Sequence, residues 1–182
     1  MICVISCHFN FANYQRPKSN LHRFHRQMMR DGVSVFGIEL HLKDQAPTTL
    51  GLQGWKQIQV PLHAILWQKE ALWNAIAEGL EECYDKFVFL DADLWFENEN
   101  WLQETSDLLD EFDFVQPFSH CYWTDEDGIR FMESPSAFSV KQDSKVIGHV
   151  GFGVAMTRKG FQGINGFYDR SVCGNGDTIM AS

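Results

Sequence analysis

At 182 residues, 45% of them hydrophobic and 21% charged, the chain has the length and balance of one globular domain with a sizeable core. Its net charge of -9 argues against a surface built for electrostatic attachment to a nucleic-acid backbone or an anionic membrane. No apolar run of about 18 residues occurs, so no membrane-spanning segment is expected.

The chain opens directly into Ile2-Cys3-Val4-Ile5, without a basic n-region, so no secretory signal is expected. Five scattered cysteines (Cys3, Cys7, Cys83, Cys121 and Cys173) make neither a disulfide framework nor a C-x-x-C metal pair. His120, Cys121 and Cys173 likewise form no convincing zinc or thiol set. A reducing, cytoplasmic setting is the expectation. The 15 Phe, 6 Trp and 4 Tyr residues suit an aromatic core, with some left to line a cleft.

In chain order, residues 2–9 form an apolar run of strand length. Pro17 suits the first turn of a helix. Leu21, Phe24, His25, Met28 and Met29 then mark its buried face, and Gly32 stands where a C-terminal cap would. Ser34 to Leu40 reads as a strand, residues 44–54 as a loop and Gln57 to Val60 as a short strand. From Trp67 to Cys83, the residues Leu72, Ile76, Leu80 and Cys83 make a helical stripe. Phe87-Val88-Phe89-Leu90 has no alternation, as expected of a central parallel strand covered on both faces. Trp101 to Phe112 predicts another amphipathic helix, and Phe114 to Phe118 a strand. Residues 119–148 are polar and irregular, the composition of a binding loop. Phe152 to Thr157 reads as a late strand, and Gly174-Asn175-Gly176-Asp177 as a turn into a helix cut short by the end of the chain. A missing C-terminal portion is therefore expected. The alternation predicts an α/β fold: an open, mostly parallel sheet with helices on both faces.

Chemistry concentrates at Leu90-Asp91-Ala92-Asp93, where an apolar strand delivers two carboxylates at the edge that binds ligands in open α/β sheets. If the backbone stays extended, Asp91 and Asp93 point the same way, roughly 6.6 Å apart, too far to share one ion without a bend. One carboxylate then suits a hard cation, Mg²⁺ or Mn²⁺, and the other a ribose hydroxyl or a metal-bound water. Two aspartates ending a strand also occur without function. Lys69 falls in the first turn of the preceding helix, where free N–H groups already favour an anion, so it is a phosphate candidate or else a surface cation. Asn74 either fixes the loop after the catalytic strand or is an ordinary surface residue.

Together, Trp67-Gln68-Lys69-Glu70, Asn74, Phe89-Leu90-Asp91-Ala92-Asp93 and Asn100-Trp101 resemble the donor-binding half of GT-A glycosyltransferases. The galactosyltransferase-like and family-2-like groups are the ones resembled most. Val115-Gln116-Pro117-Phe118-Ser119 and Gly148-His149-Val150-Gly151-Phe152-Gly153 look like the family's acceptor-side elements, so the resemblance runs over nearly the whole chain. It implies one domain over 1–182, with a donor-binding half at 1–118 and an acceptor-side half at 119–182. A hexosyl- or N-acetylhexosaminyl-transferase is implied, using a nucleotide-diphosphate sugar, a UDP-sugar first, and a glycan or other hydroxyl acceptor.

The resemblance assigns Asp93 to Mn²⁺ or Mg²⁺ and Asp91 to the ribose, the sugar or a metal water, with the cation neutralising the departing diphosphate. Glu39 matches the acid that holds the base; a charged strand end is the alternative. Asn10 and Arg16 are further donor candidates. Asp177 matches the acid that takes the acceptor proton, and equally suits a helix N-cap. Relatives often carry a pair of acids there, which leaves inversion open. His149 is a candidate further metal ligand or a structural histidine. Trp123 is an acceptor-stacking candidate or loop packing.

Two other readings compete. A sugar nucleotidyltransferase would carry a Gly-rich basic loop after the first strand, where this chain has Cys7-His8-Phe9-Asn10-Phe11-Ala12-Asn13. A truncated or degenerate domain would bind nucleotide-sugar or glycan without transfer. A D-x-D phosphatase needs its acids after the first strand, and Asp91 comes too late.

Overall fold

The computed structural model describes residues 1–140 and 147–170. In chain order these form β1 (Ile2–Phe9), α1 (Gln15–Arg30), β2 (Ser34–Leu42), β3 (Trp55–Val60), α2 (Lys69–Glu78), β4 (Lys86–Asp91), α3 (Trp101–Glu111), β5 (Phe114–Val115), β6 (His120–Thr124), β7 (Arg130–Pro135), β8 (Gly153–Thr157) and α4 (Arg158–Gly163). The main sheet has the order β3-β2-β1-β4-β8-β5. Strands β3, β2, β1 and β4 are parallel, whereas β8 runs antiparallel to both β4 and β5. This is the mostly parallel α/β sheet that the alternation predicts.

Alternating side chains divide the core in two. Val4, Val88 and Leu90 pack under Leu21, Phe24 and Met28 of α1 and Trp101 and Leu109 of α3. Cys3, Ile5, Phe87 and Phe89 face Leu72, Trp73 and Ala77 of α2 and Phe161 of α4. Helices therefore cover both faces. β8, drawn from the second half of the chain, lies between β4 and β5 and joins both halves in one sheet.

α1 ends as its sequence predicts: Gly32 takes φ +69 and the Val33 N–H reaches back to the Met28 carbonyl at 3.2 Å. α2 is shorter than its stripe, starting at Lys69 and stopping at Glu78, so Leu80 and Cys83 lie beyond it. β5 has only two residues, since Pro117 cannot donate to a ladder. β3 starts at Trp55, whose ring lies against Gly37; a Cβ there would stand 2.5 Å from the indole.

The segment expected to be irregular, 119–148, contains a β6–β7 hairpin and a 3-10 turn at Ala137–Ser139. The Asp125 carboxylate makes the hairpin turn by accepting the N–H groups of Asp127 and Ile129, with Gly128 at φ +82. Most of its side chains are exposed, so no apolar alternation announced it.

Two outcomes are expected. Gly54 has φ +84, and a Cβ would lie 2.0 Å from the Val35 carbonyl oxygen, so Gly54→Ala should lower urea-measured stability by about 2 kcal/mol or more. Burial holds the His8 imidazole below its ordinary value, opposed in part by Glu39, so the fold keeps it neutral. The unfolded chain takes up that proton below about pH 6.5; the contribution is present above that pH and is lost as pH falls. Urea midpoints should therefore drop between about pH 7.5 and about pH 5.5, with a shallower slope in His8→Gln.

Candidate functional site

The chain runs from β1 outward through β2 to β3, then returns to β4 on the other side of β1. The strand order thus reverses between β1 and β4, which opens a crevice at their carboxyl ends. Asp91 is the last residue of β4 and pairs in register with Cys7 of β1, so it stands at that crevice.

The chain turns immediately after Asp91. Ala92 packs into the core beneath α1 and α3, and Asp93 falls in the turn. The extended spacing expected of the two acids is therefore replaced by a bend, the condition under which both can address one ion. Crowding by surrounding atoms, and then the Asp91 charge, push the Asp93 carboxyl above its ordinary value, although the residue keeps an exposed surface. Lys69 and Arg16 act in the opposite sense, so both cations lie within electrostatic reach of it.

Lys69, in the first turn of α2, places its Nζ 3.0 Å from Asp91 Oδ1. The ammonium stands 4.8 Å from the Trp73 ring centroid and 5.8 Å from that of Trp67. Trp67 Nε1 donates to Glu70 Oε2 at 2.9 Å, and Trp67 meets Phe9 edge to face. Glu70, Trp73 and Cys7 were not singled out as site residues by the sequence. For Glu70 the signal was available in its i, i+3 spacing from Trp67. Burial, and then the Asp91 charge, push the Cys7 thiol up, so it stays protonated beside the acid.

Arg16 donates through Nη2 to the Thr124 carbonyl at 2.8 Å, strapping the hairpin to the mouth of the crevice. Asn10 closes its own loop, its side chain accepting from Tyr14 N–H and donating to Tyr14 O. Glu39 is buried and accepts from Thr48 N–H, Thr49 N–H and Thr49 Oγ1, so here its carboxylate holds the 48–49 loop. Asn74 exchanges two hydrogen bonds with the Phe167 backbone, at 2.9 and 2.8 Å, and joins α2 to the segment after α4.

Trp123 packs on His149 and Phe152, with centroids 5.0 and 5.1 Å apart. Among the described residues no three His, Cys, Asp or Glu side chains gather as a metal site, so His149 is not brought into one with Asp91 and Asp93. Its backbone explains this: the N–H donates to Pro135 and the carbonyl accepts from Ala137 and Gln116, which fixes it in the aromatic cluster. Asp177 lies outside the described residues. Phe152 itself takes φ +72, a left-handed conformation disfavoured for a bulky residue, while its carbonyl accepts the Asp91 N–H at 3.0 Å. The flanking glycines, Gly151 and Gly153, were the only hint.

Two carboxylates, one raised by burial and then by the charge of the other, fit a hard divalent cation with oxygen ligands completed by phosphate.

The chain matches no protein-family model and no curated protein significantly. Among solved structures it shares its fold with GT-A glycosyltransferases. A mutant of Drosophila β1,4-galactosyltransferase 7, in complex with manganese, UDP-Gal and xylobiose, is 13% identical with a TM-score of 0.50, over 98% of this chain and 59% of that one. S. aureus TarS, residues 1–349, is 13% identical with a TM-score of 0.57, over 98% of this chain and 53% of that one. The chain thus spans little more than half the length of either. A 4-diphosphocytidyl-2C-methyl-D-erythritol synthase from Anaerococcus prevotii DSM 20548 is similar in fold, at 11% identity and a TM-score of 0.51, over the whole of this chain and 76% of that one.

A double-mutant cycle of Lys69→Met and Asp91→Asn should give a stabilising coupling of about 1–2 kcal/mol by urea denaturation, because the pair is largely shielded from water. Additive effects would mean that the two groups act independently.

Proposed function

We propose that the chain is the donor-binding and catalytic part of a divalent-cation-dependent glycosyltransferase. It would use a nucleotide-diphosphate sugar, a UDP-sugar first, and a glycan or other hydroxyl acceptor. The observation that supports this best is the convergence of Asp91, Asp93, Lys69 and Arg16 at the point where the strand order reverses.

In this reading Asp93 and Asp91 hold Mn²⁺ or Mg²⁺, which supplies Lewis-acid neutralisation of the diphosphate leaving group. Lys69 and Arg16 add fixed positive charge beside the same phosphates, and the helix start at Lys69 contributes its N–H groups. Asn10 shapes the loop over the donor. Glu39 and Asn74 act at one remove, the first through Thr48 and Thr49 and the second by fixing α2. Trp123 is the proposed acceptor wall, and Asp177, assigned from sequence alone, the base that takes the acceptor proton. Hydrolysis would compete with transfer unless water is excluded, and Trp67, beside the Lys69 ammonium and edge to face on Phe9, favours exclusion.

Calorimetry with UDP-sugars and Mn²⁺ tests the proposal. Asp93→Asn should weaken metal-dependent donor binding at least about tenfold without changing the thermal midpoint; unchanged affinity would refute the assignment.

The likeness to the cytidylyl-type synthase favours a second reading, nucleotidyl transfer. It is disfavoured by the loop after β1, where Asn10 clamps Tyr14 and no glycine or cation stands before Arg16. Release of UDP from UDP-sugars supports the first reading, and release of pyrophosphate from CTP the second.

A further inference from the structure

The net negative charge conceals a strong segregation. α1 carries five of the chain's 15 Lys and Arg residues (Arg16, Lys18, Arg23, Arg26 and Arg30) and none of its 24 acids. Its inner face is locked into the core by Leu21, Phe24 and Met28. Its outer face is an exposed stripe of His22, Arg23, Arg26, Met29 and Arg30, rigid because the inner face is packed.

An aromatic side chain stands in this stripe. Trp95, from the loop after β4, is 41% exposed, with the Arg23 guanidinium 4.4 Å and that of Arg30 5.4 Å from its ring centroid. Gln27 pins the loop from beneath, donating to the Phe96 carbonyl at 2.7 Å and accepting the Phe96 N–H at 3.0 Å. Arg23, Arg26, Gln27, Arg30 and Trp95 border a depression of about 350 Å³. The adjacent acid, Asp31, is turned inward: Oδ1 meets Arg30 and Oδ2 accepts from Trp101 Nε1, both at 2.9 Å, and its side chain is 8% exposed.

We propose that this face docks on an anionic lipid bilayer. Arginines along a rigid helix match a plane of phosphate headgroups, and an indole among them suits the headgroup level, where one side is apolar and the other wet. The remainder of the chain is more acidic than the whole, so its net charge opposes an anionic surface while this face attracts one. A soluble polyanion would satisfy the arginines but leaves Trp95 and Met29 exposed without reason. Charge averaged over the chain therefore misleads about membranes. The inference does not depend on the proposed function.

The test is co-sedimentation of the full chain with phosphatidylcholine vesicles, alone or with about 30% phosphatidylglycerol. Binding should require the anionic lipid and fade in about 0.5 M salt. Combined Arg23→Gln, Arg26→Gln and Arg30→Gln should weaken partitioning by about two orders of magnitude, and Trp95→Ala should weaken it further. Should the triple variant fail to fold, Arg26→Gln alone, which removes only a bond to the His22 carbonyl, should give a loss of about fivefold. Lys159→Gln, at an 86% exposed lysine on another face, should bind like the parent. No binding to anionic vesicles, binding that the arginine variants retain, or displacement from vesicles by an equal charge of soluble polyphosphate would overturn the proposal.

Discussion

The site is organised by one ion pair, Lys69 with Asp91, between the first turn of α2 and the last residue of β4. The Lys69 side chain is 9% exposed, and a lysine so nearly buried is tolerated only where its charge is met. Trp73 and Trp67 meet it with their ring faces and Asp91 with a carboxylate oxygen. The pair fixes the helix over the strand end and concentrates opposite charges at the crevice. Removing either member would leave the other poorly solvated. A diphosphate with its cation could redistribute both charges, Lys69 turning to phosphate and Asp91 to metal, without exposing either.

Core packing and site geometry are coupled through the three residues Asp91, Ala92 and Asp93. Asp91 is held in the sheet by the carbonyl of Phe152, a residue kept in a disfavoured backbone conformation. Ala92 is small enough to sit in the core cluster that includes Trp101 and is flanked by Phe96, at the point where the chain bends. Asp93 is thereby presented toward Arg16 and Lys69 instead of continuing along the strand. Arg16 carries the coupling further, since the same side chain ties the β6–β7 hairpin to the start of α1.

The regular part of the fold was legible because burial on both faces imposes continuous apolar strands and helix stripes. β1, α1, β4 and α3 all appear where the pattern puts them. The acids at the end of β4 were legible for the same reason, as charges abruptly ending an apolar run. The hairpin was not, because His120, Tyr122 and most of β7 face water and its turn rests on Asp125, a residue with many possible uses. Nor were the partners of Glu39 and Asn74. Each occupies a plausible ligand-binding position, and only the tertiary fold brings Thr49 under one and the Phe167 backbone beside the other. The place of His149 was equally hidden, being set by a hairpin the pattern did not reveal.

A fold similar to those of galactosyltransferase 7, TarS and a cytidylyl-type synthase cannot by itself choose a reaction. What differs among chemistries on such a sheet is where fixed positive charge meets the phosphates. A nucleotide triphosphate attacked at its α-phosphate calls for cations and free N–H groups in the turn after the first strand. Here that turn is closed on itself by Asn10 and packed by Phe9 and Phe11. The first cation after β1 is Arg16, already in α1, and the other cation of the site, Lys69, comes from α2, across the crevice, facing the acids that end β4. Charge placed there would meet a diphosphate that departs, the arrangement the proposed sugar transfer calls for.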